Sequence, residues 1–544
     1  MTAIQSESRQ LSGPASFAIG VSTALLLFLA MPGVTGWWPL LFFALIPFLS
    51  ALCRLTPRRS CQMGMIFGLL YNIGMLYWIY PVLQRYGGLH AFLAAGALFL
   101  LALYMAVYTG LFSLLLNLLV TRIGKQGDFA SIALLTAPVL WVGLDFLRGR
   151  LFSGIPWMDL GYGLYHQPLL IQAADLGGHH LITFCIVLVN ALLFWLVDTI
   201  RAPDSSSSKY HYGQAVIVFL LLCCIGGYSV LRYQQLISVM AASETVALVA
   251  IQGNIAQDEK WSPDSKKETV DQYLALSNQA VEKMNKTDLL IWPETALPFY
   301  PSREPLMNKV RDFVRSKRVH LLTGSPYFTV NPKRKKPVAY YNSALLLNPA
   351  GRLKARYNKQ HLVPFGEYVP LRTYLWFLKP LVELLGDFTP GDSYAPLEVE
   401  KIRAGVLICF ESIFPEIARR ETKEGANLLV SMTNDAWYGR SSAPYHSWAM
   451  TVMRAVENRR SLVRSANTGI SGFVEPTGVI RQPSSLFSAE SVSEDMVLTT
   501  TETIFVHWGY RFGAACLGLI PLLFFLSIIT RHQRSKRKKS SANE

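Results

Sequence analysis

The sequence predicts a membrane protein with eight transmembrane α-helices and an α/β domain outside the bilayer. Hydrophobic residues make up 51% of the 544 positions and charged residues only 16%, whereas soluble domains carry about 25% charged residues. Eight apolar runs are long enough to cross a bilayer, and one polar stretch, about 245–505, lies between the last two. The apolar fraction therefore predicts the spans, and the polar stretch predicts a folded domain.

Each predicted span is an apolar run bounded by polar or charged residues. The runs cover residues 14–32, 37–53, 62–83, 90–120, 129–147, 169–199, 212–231 and 508–530. The fourth and sixth exceed the roughly 20 residues that one crossing needs, so we expect tilt or a projecting end there. The predicted domains are residues 1–240 for seven spans, 241–505 for the exterior domain, 506–532 for the last span and 533–544 for a basic tail.

Basic residues are distributed unequally between the short loops, and this asymmetry predicts the orientation. With the N-terminus inside, the cytoplasmic segments hold fourteen basic residues and the opposite short loops hold three. The fourteen are Arg9, Arg54, Arg58, Arg59, Arg122, Lys125, Arg201, Lys209, Arg531, Arg534, Lys536, Arg537, Lys538 and Lys539, and the three are Arg85, Arg148 and Arg150. We therefore expect both termini in the cytoplasm and the polar domain in the periplasm or exterior.

The net charge of +15 does not indicate nucleic-acid binding. Six of the basic residues lie in the tail directly after an apolar run, a position typical of a membrane-flanking segment. A nucleic-acid site would need a basic stripe with stacking aromatic residues on the soluble part, and none is evident in the sequence. We expect membrane lipids as partners and no nucleic acid.

The polar stretch alternates between strand-like and helix-like segments, which is typical of an α/β domain. The strand-like runs are 246–251, 289–292, 320–323, 344–347, 406–408 and 428–431, and the helical stretches are about 264–286, 303–318, 412–423 and 445–459. About 260 residues are enough for one such domain with its own core.

Three chemically active side chains follow strand-like runs or tight turns in this domain. Cys409 ends the run 406–408 and is the only cysteine between residues 245 and 505, Glu294 follows 289–292, and Lys359 lies in a turn. Strand ends are where catalytic groups can converge on a rigid sheet. Each residue alone has an ordinary alternative: an inert buried thiol for Cys409, and solvated surface charges for the other two. Considered together, they indicate a thiol nucleophile with a base and a cation.

Several segments resemble the nitrilase superfamily and, within it, the apolipoprotein N-acyltransferase family. The chain order Glu294, Lys359, Cys409 is similar to the nitrilase Glu-Lys-Cys triad. The segments with the family resemblance are 252–255 with Trp261, 292–295, 357–359, 363–368 and 431–437, together with the insertion of the domain before the last of eight spans. The resemblance covers essentially the whole chain. It implies an αββα sandwich for the exterior domain and a bacterial inner (cytoplasmic) membrane location.

The resemblance implies a two-step acyl transfer. The donor would be a phospholipid, by this resemblance phosphatidylethanolamine, and the acceptor would be the α-amino group of a diacylglyceryl-cysteine at an apolipoprotein N-terminus. Cys409 would carry the acyl chain as a thioester, Glu294 would act as general base, and Lys359 would stabilise the oxyanion together with the N–H of Phe410. No cofactor or metal is implied.

Five further residues are candidate supporting groups. Glu367 and Glu411 would orient Lys359 and the base, with structural ion pairs as the alternative. Trp261 and Asn342 would form a pocket wall or a supporting hydrogen bond. Phe410 stands where many family members have a tyrosine, so the resemblance implies no phenol at this position and leaves only the backbone N–H.

Two other functions are compatible with parts of this sequence pattern. A membrane-tethered amidase with the same triad would hydrolyse its acyl-enzyme with water, and the triad alone does not separate these outcomes. A transporter or scaffold would require ionisable groups within the spans, for which Asp145, Asp175 and Asp198 are candidates.

The apolar stretch 374–385 predicts a segment that dips into the lipid surface, with a core helix as the alternative.

Overall fold

The computed structural model describes residues 11–123, 129–201, 208–257, 263–332, 337–368 and 388–540. Its membrane part consists of helices α1 to α10 followed, after the exterior domain, by α16. Their bounds are Gly13–Ala30 (α1), Ile46–Leu52 (α2), Pro57–Leu76 (α3), Ile79–Arg85 (α4), Ala91–Ile123 (α5), Phe129–Arg148 (α6), Pro168–Ile171 (α7), Ala174–Gly177 (α8), His179–Arg201 (α9), Ser208–Ala241 (α10) and Arg511–Ser540 (α16).

Six helices among the described residues are long and apolar enough to cross a membrane. They are Gly13–Ala30, Ala91–Ile123, Phe129–Arg148, His179–Arg201, Tyr212–Ala241 and Arg511–Thr530. A seventh crossing is formed if α3 and α4, which are bent by 53° at their break, count as one span. The second predicted run forms a shorter apolar stretch, Trp38–Leu52.

Local sequence explains where several of these helices begin and how closely they pack. Ser12 caps α1 by accepting a hydrogen bond from the Ala15 N–H at 3.4 Å, and proline lies in the first turn of both α1 and α3. Gly64 and Gly68 of α3 face α5 so closely that an added Cβ would overlap Ser113 or Thr109. Small residues therefore allow these two helices to approach, as in other membrane bundles.

Three further spans differ from the predicted runs. The third is broken near Tyr77 and Trp78, where α3 ends and α4 begins. The long helix of the sixth begins only at His179, because the preceding residues form the short helices α7 and α8. Helix α10 continues to Ala241, ten residues beyond the apolar run, and leads almost directly into the first strand.

The exterior domain contains two six-stranded sheets. The first has the order β12-β1-β2-β3-β4-β5 and the second β11-β10-β9-β8-β7-β6. The strands are Thr245–Gln252 (β1), Leu289–Ile291 (β2), Leu321–Val330 (β3), Val338–Leu347 (β4), Leu353–Asn358 (β5), Leu397–Val399 (β6), Ile402–Ile408 (β7), Leu428–Thr433 (β8), Ser461–Ala466 (β9), Gly472–Val474 (β10), Ile480–Arg481 (β11) and Glu490–Val497 (β12). The six strand-like runs of the sequence all fall on strands, although β3, β4 and β7 are longer than predicted.

Four of the five helices of the domain lie against these sheets, and the fifth, Ile504–Trp508, packs against other helices instead. The five helices are Pro263–Lys283 (α11), Leu306–Lys317 (α12), Pro415–Lys423 (α13), Ala443–Asn458 (α14) and Ile504–Trp508 (α15). One apolar cluster joins residues of both sheets, including Leu248 and Val430, and another joins the first sheet to α11 and α12. Burial of these alternating strand faces holds the two sheets together.

The second sheet and its helices share an apolar core with the membrane bundle. One continuous cluster contains Leu429 of β8, Val452 of α14 and Ile186 of α9. The exterior domain is therefore packed onto the bundle rather than suspended from a linker.

Buried polar contacts reinforce this junction. Glu457 accepts a hydrogen bond from the backbone N–H of His179 at 2.9 Å, and Arg459 pairs with Asp175 at 3.0 Å. Asp175 also pairs with Arg232 of α10 at 2.9 Å. All of these side chains except Arg232 are almost completely buried.

Candidate active site

Three loops bring Glu294, Lys359 and Cys409 together, and each loop directly follows a strand. Glu294 follows β2 and Lys359 follows β5 in the first sheet, whereas Cys409 follows β7 in the second. The Lys359 Nζ lies 3.9 Å from Glu294 Oε1, and the charges of both groups act on the Cys409 thiol. The strand ends of two sheets thus build one site.

The turn that presents Cys409 has a left-handed backbone. The φ angle of Cys409 is +54°, a conformation that costs non-glycine residues on the order of 1–3 kcal/mol and that clusters at active sites. Two contacts hold this turn: the Ser412 hydroxyl donates to the Cys409 carbonyl at 2.9 Å, and the Ile408 N–H donates to Glu411 at 2.7 Å. The fold therefore fixes the thiol in a strained position.

Lys359 is held by two carboxylates. Its Nζ lies 3.0 Å from Glu367 Oε1 and 2.9 Å from Glu367 Oε2, and only 1% of the residue is exposed. Burial alone lowers the pKa of Lys359, but the carboxylates of Glu367 and Glu294 outweigh it, so the net pKa is raised above its ordinary value. Lys359 is therefore a permanent cation in the site.

Asn342 and Asn434 fix the two oxygens of Glu294. The Asn342 Nδ2 donates to Glu294 Oε1 at 2.8 Å and to Glu367 Oε1 at 3.0 Å. The backbone N–H of Asn434 donates to Glu294 Oε2 at 2.9 Å. The carboxylate is buried and held on both sides, so its orientation toward the thiol is set before any substrate arrives.

The Cys409 residue is half-buried, and the raised pKa of its thiol keeps the sulfur protonated at neutral pH. Burial of the sulfur raises its pKa most, the charge of Glu294 raises it further, and Lys359 opposes the shift. Because the reactive form of cysteine is the thiolate, a base must take the proton when substrate is attacked.

Glu411 connects the nucleophile loop to the lysine loop. Its carboxylate accepts hydrogen bonds from the N–H of Ile408, Gln360 and His361 at 2.7, 2.6 and 3.1 Å. The Tyr357 hydroxyl donates to it at 3.1 Å. Burial raises the pKa of Glu411 to about 7, although the backbone donors oppose the shift. The contacts of Glu411 thus fix loop backbone rather than the Lys359 ammonium itself.

Of two further residues predicted to support the site, the structure describes Phe410 but not Trp261. The Phe410 ring packs against Phe414, with centroids 5.2 Å apart, and lies 6.1 Å from the His361 ring. Trp261 lies outside the described residues, as does the apolar stretch 374–385.

The sequence prediction assigned no role to residues 434–442, which also line the site. Trp437 packs on Tyr86 at 4.9 Å, Tyr438 packs on Trp78 at 4.8 Å, and the Ser442 N–H donates to Tyr77 at 2.9 Å. Aromatic residues at the break between α3 and α4, and Tyr86 at the end of α4, therefore contact the loop that holds the base. The segment 431–437 carried a family resemblance, but a backbone N–H donor leaves no signature in the residue types.

Asp159, His179 and His180 form the group among the described residues whose atoms could hold a metal ion. Asp159 already pairs with Arg148, and its Oδ2 lies 2.9 Å from His179 Nε2. His179 Nδ1 lies 3.3 Å from Glu457. An arginine at the carboxylate fits an ion-pair network better than a cation site.

Comparisons with known proteins identify the family. Residues 23–192 match the apolipoprotein N-acyltransferase N-terminal domain, and residues 245–502 match the carbon-nitrogen hydrolase domain. The apolipoprotein N-acyltransferase of Geobacter metallireducens is 39% identical over 522 residues, which cover 95% of this chain and 96% of that protein. The chain belongs to the apolipoprotein N-acyltransferase family.

Other apolipoprotein N-acyltransferases are more distant. The Methylococcus capsulatus protein is 32% identical over 86% of this chain and 88% of its own length. The solved carbon-nitrogen hydrolase of Helicobacter pylori G27 aligns with 49% of this chain and 94% of that chain, at 18% identity and a TM-score of 0.36.

Family membership confirms the resemblance predicted from the sequence. The exterior domain is a nitrilase-like carbon-nitrogen hydrolase domain built on two sheets, and the chain is a bacterial membrane protein with several spanning helices. Two of the acidic residues considered for transport, Asp145 and Asp175, are ion-paired with Arg148 and with Arg232 and Arg459.

Proposed function

We propose that this protein transfers a fatty acyl chain from a phospholipid to the α-amino group of the N-terminal diacylglyceryl-cysteine of an apolipoprotein. One observation supports the proposal most: the thiol of Cys409, at a strained strand end, lies in the electrostatic field of Lys359 and of a buried Glu294 whose two oxygens are both fixed by hydrogen bonds. The names of the relatives support the choice of acceptor.

The first step forms a thioester on Cys409. Glu294 accepts the thiol proton while the sulfur attacks the ester carbonyl of the donor. Lys359 stabilises the negative oxygen of the tetrahedral intermediate, and the N–H of Phe410 assists. Collapse breaks the ester C–O bond, Glu294 returns its proton to the leaving oxygen, and a lysophospholipid departs.

The second step transfers the acyl chain to nitrogen. The α-amino group of the acceptor attacks the thioester carbonyl, and Glu294 accepts a proton from that nitrogen. Collapse breaks the C–S bond, the proton returns to sulfur, and an amide with a free Cys409 thiol results. Glu367 and Asn342 act through Lys359 and Glu294, and Glu411 acts through the two loops.

The proposal also includes the donor lipid, the membrane location, the number of spans and the domain boundaries. The donor is phosphatidylethanolamine, and both termini lie in the cytoplasm of a cell whose inner membrane carries the enzyme with its catalytic domain in the periplasm. Eight spans are supported by the six long helices, the bent pair and the short stretch Trp38–Leu52. The domain boundaries are 1–240, 241–505, 506–532 and 533–544, and the four layers of the catalytic domain form an αββα sandwich.

The test is mass spectrometry of the purified protein after exposure to phospholipid vesicles. We expect an acyl adduct on the peptide that contains Cys409, its discharge by a diacylated lipopeptide, and no adduct on Cys409→Ala. Cys53→Ala is the matched control, because Cys53 is also a free, partly buried thiol but lies in the membrane bundle. Transfer by Cys409→Ala would overturn the mechanism, and release of free fatty acid or ammonia without triacylated product would favour the amidase.

A further inference from the structure

A buried ion pair lies directly behind the loop that holds the base. Arg464 of β9 and Asp435, which follows β8, are both fully buried, and Arg464 Nη2 lies 2.7 Å from Asp435 Oδ2. Arg464 Nη1 also donates to Thr451 at 2.8 Å and to Ser447 at 3.1 Å, both on α14. The arginine is thus fixed by a helix on one side and the carboxylate on the other.

The position of Asp435 is tightly constrained. The Thr433 hydroxyl donates to Asp435 Oδ1 at 2.7 Å. Gly469 lies so close that any side chain there would overlap the Asp435 carboxylate. The residue before it, Asn434, donates its backbone N–H to Glu294 Oε2 at 2.9 Å. Movement of Asp435 would therefore displace the donor that orients Glu294.

We propose that Asp435 and Arg464 are positioning residues for the acyl transfer, with Asp435 fixing the Asn434 turn and Arg464 neutralising the Asp435 carboxylate. This inference rests on the proposed function, and neither residue touches the substrate. Removing one member of a buried ion pair leaves the other as an uncompensated buried charge, so each residue stabilises the buried position of the other.

The Asp435–Arg464 pair also influences the ionisation of the Cys409 thiol. Glu294, Lys359 and Asp435 all act on the thiol, and the carboxylate of Asp435 raises the pKa of Cys409, after burial and Glu294. The Arg464 guanidinium opposes the negative charge of Asp435, and it also acts on the neighbouring Tyr438 phenol. Removal of the cation and removal of the anion must therefore shift thiol ionisation in opposite directions.

The experiment measures the pH dependence of Cys409 alkylation by iodoacetamide in the full-length protein in detergent, read by mass spectrometry of the Cys409 peptide. A nearby unit charge moves a pKa by about one unit or more, so we expect roughly tenfold slower alkylation at pH 8 in Arg464→Gln and roughly tenfold faster alkylation in Asp435→Asn. The double variant should return toward the wild-type profile, and Arg464→Lys should stay close to it.

Arg460→Gln is the matched control, because Arg460 is a neighbouring buried arginine that donates to the carbonyls of Ala426 and Thr501 and not to Asp435. It should lower thermal stability without moving the alkylation profile. Unchanged profiles in both single variants, or shifts of the same sign, would overturn the proposal. Absence of an acyl adduct on the wild-type protein would instead refute the proposed function, since alkylation needs no lipid.

Discussion

Replacement of Asn342 by leucine tests whether a fixed Glu294 is needed for catalysis. Leucine keeps the branched outline of the asparagine side chain but removes the Nδ2 donor that reaches Glu294 at 2.8 Å and Glu367 at 3.0 Å. A hydrogen bond to a charged group contributes about 1.5–3 kcal/mol. If the Glu294 bond alone sets the geometry of proton transfer, its loss slows thioester formation about 10- to 150-fold at 1.36 kcal/mol per factor of ten.

The assay is the single-turnover rate of acyl-adduct formation on Cys409 from phospholipid vesicles. Ser343→Ala serves as the control, because the neighbouring Ser343 is also buried and loses one hydrogen bond, to Asn358 at 2.8 Å, from the opposite side of β4. The control should stay within a fewfold of wild type. An Asn342→Leu protein that forms the adduct as fast as Ser343→Ala would refute the argument that Asn342 orients the base.

Three further predictions concern the charged groups. Glu294→Gln should abolish the adduct on Cys409, since the thiol is protonated at neutral pH and would lack a base; an adduct at the wild-type rate would exclude Glu294 as that base. Lys359→Met should abolish transfer and lower the melting temperature, because it leaves two buried carboxylates without their cation. Adding Glu367→Gln should restore the melting temperature but not transfer. Full recovery of activity in the double variant would contradict the role of the cation. Glu411 has a pKa of about 7, above its ordinary 4.5, so its stabilising contribution is complete below 4.5 and is lost as the pH rises through 7. Transfer should nevertheless fall as the pH drops below 7, because protonated Glu411 cannot accept all of its backbone donors; this step should disappear from the pH–rate profile of Glu411→Gln.

Sequence reasoning predicted the elements whose residues carry a local pattern. The spans follow from uninterrupted apolar runs, and strands such as β1 and β8 follow from short β-branched runs bounded by turn residues. The order of Glu294, Lys359 and Cys409 was enough to expect one site, because strand ends can converge on the edge of a sheet. Charges within the runs obscured other strands: β9 was not predicted, and Arg464 lies inside it.

The contacts that complete the site could not be predicted, because they join residues distant in the chain. The Asn434 donor is a backbone N–H, which every residue except proline possesses. The Asp435–Arg464 pair depends on two neighbouring parallel strands, β8 and β9. The break between α3 and α4 lies within one apolar run, so composition gives no sign that Trp78 would turn toward the catalytic loop.

The packed junction between the two parts has a consequence for how substrates reach the thiol. Tilting the catalytic domain would separate Glu457 from His179 and Arg459 from Asp175, and each broken buried pair costs about 3–5 kcal/mol. The position of Cys409 relative to the helix bundle is therefore fixed. Because the thiol stays at this position, we expect donor and acceptor to bring their reactive carbonyl and amine to it, so that the distance between headgroup and acyl linkage selects among lipids.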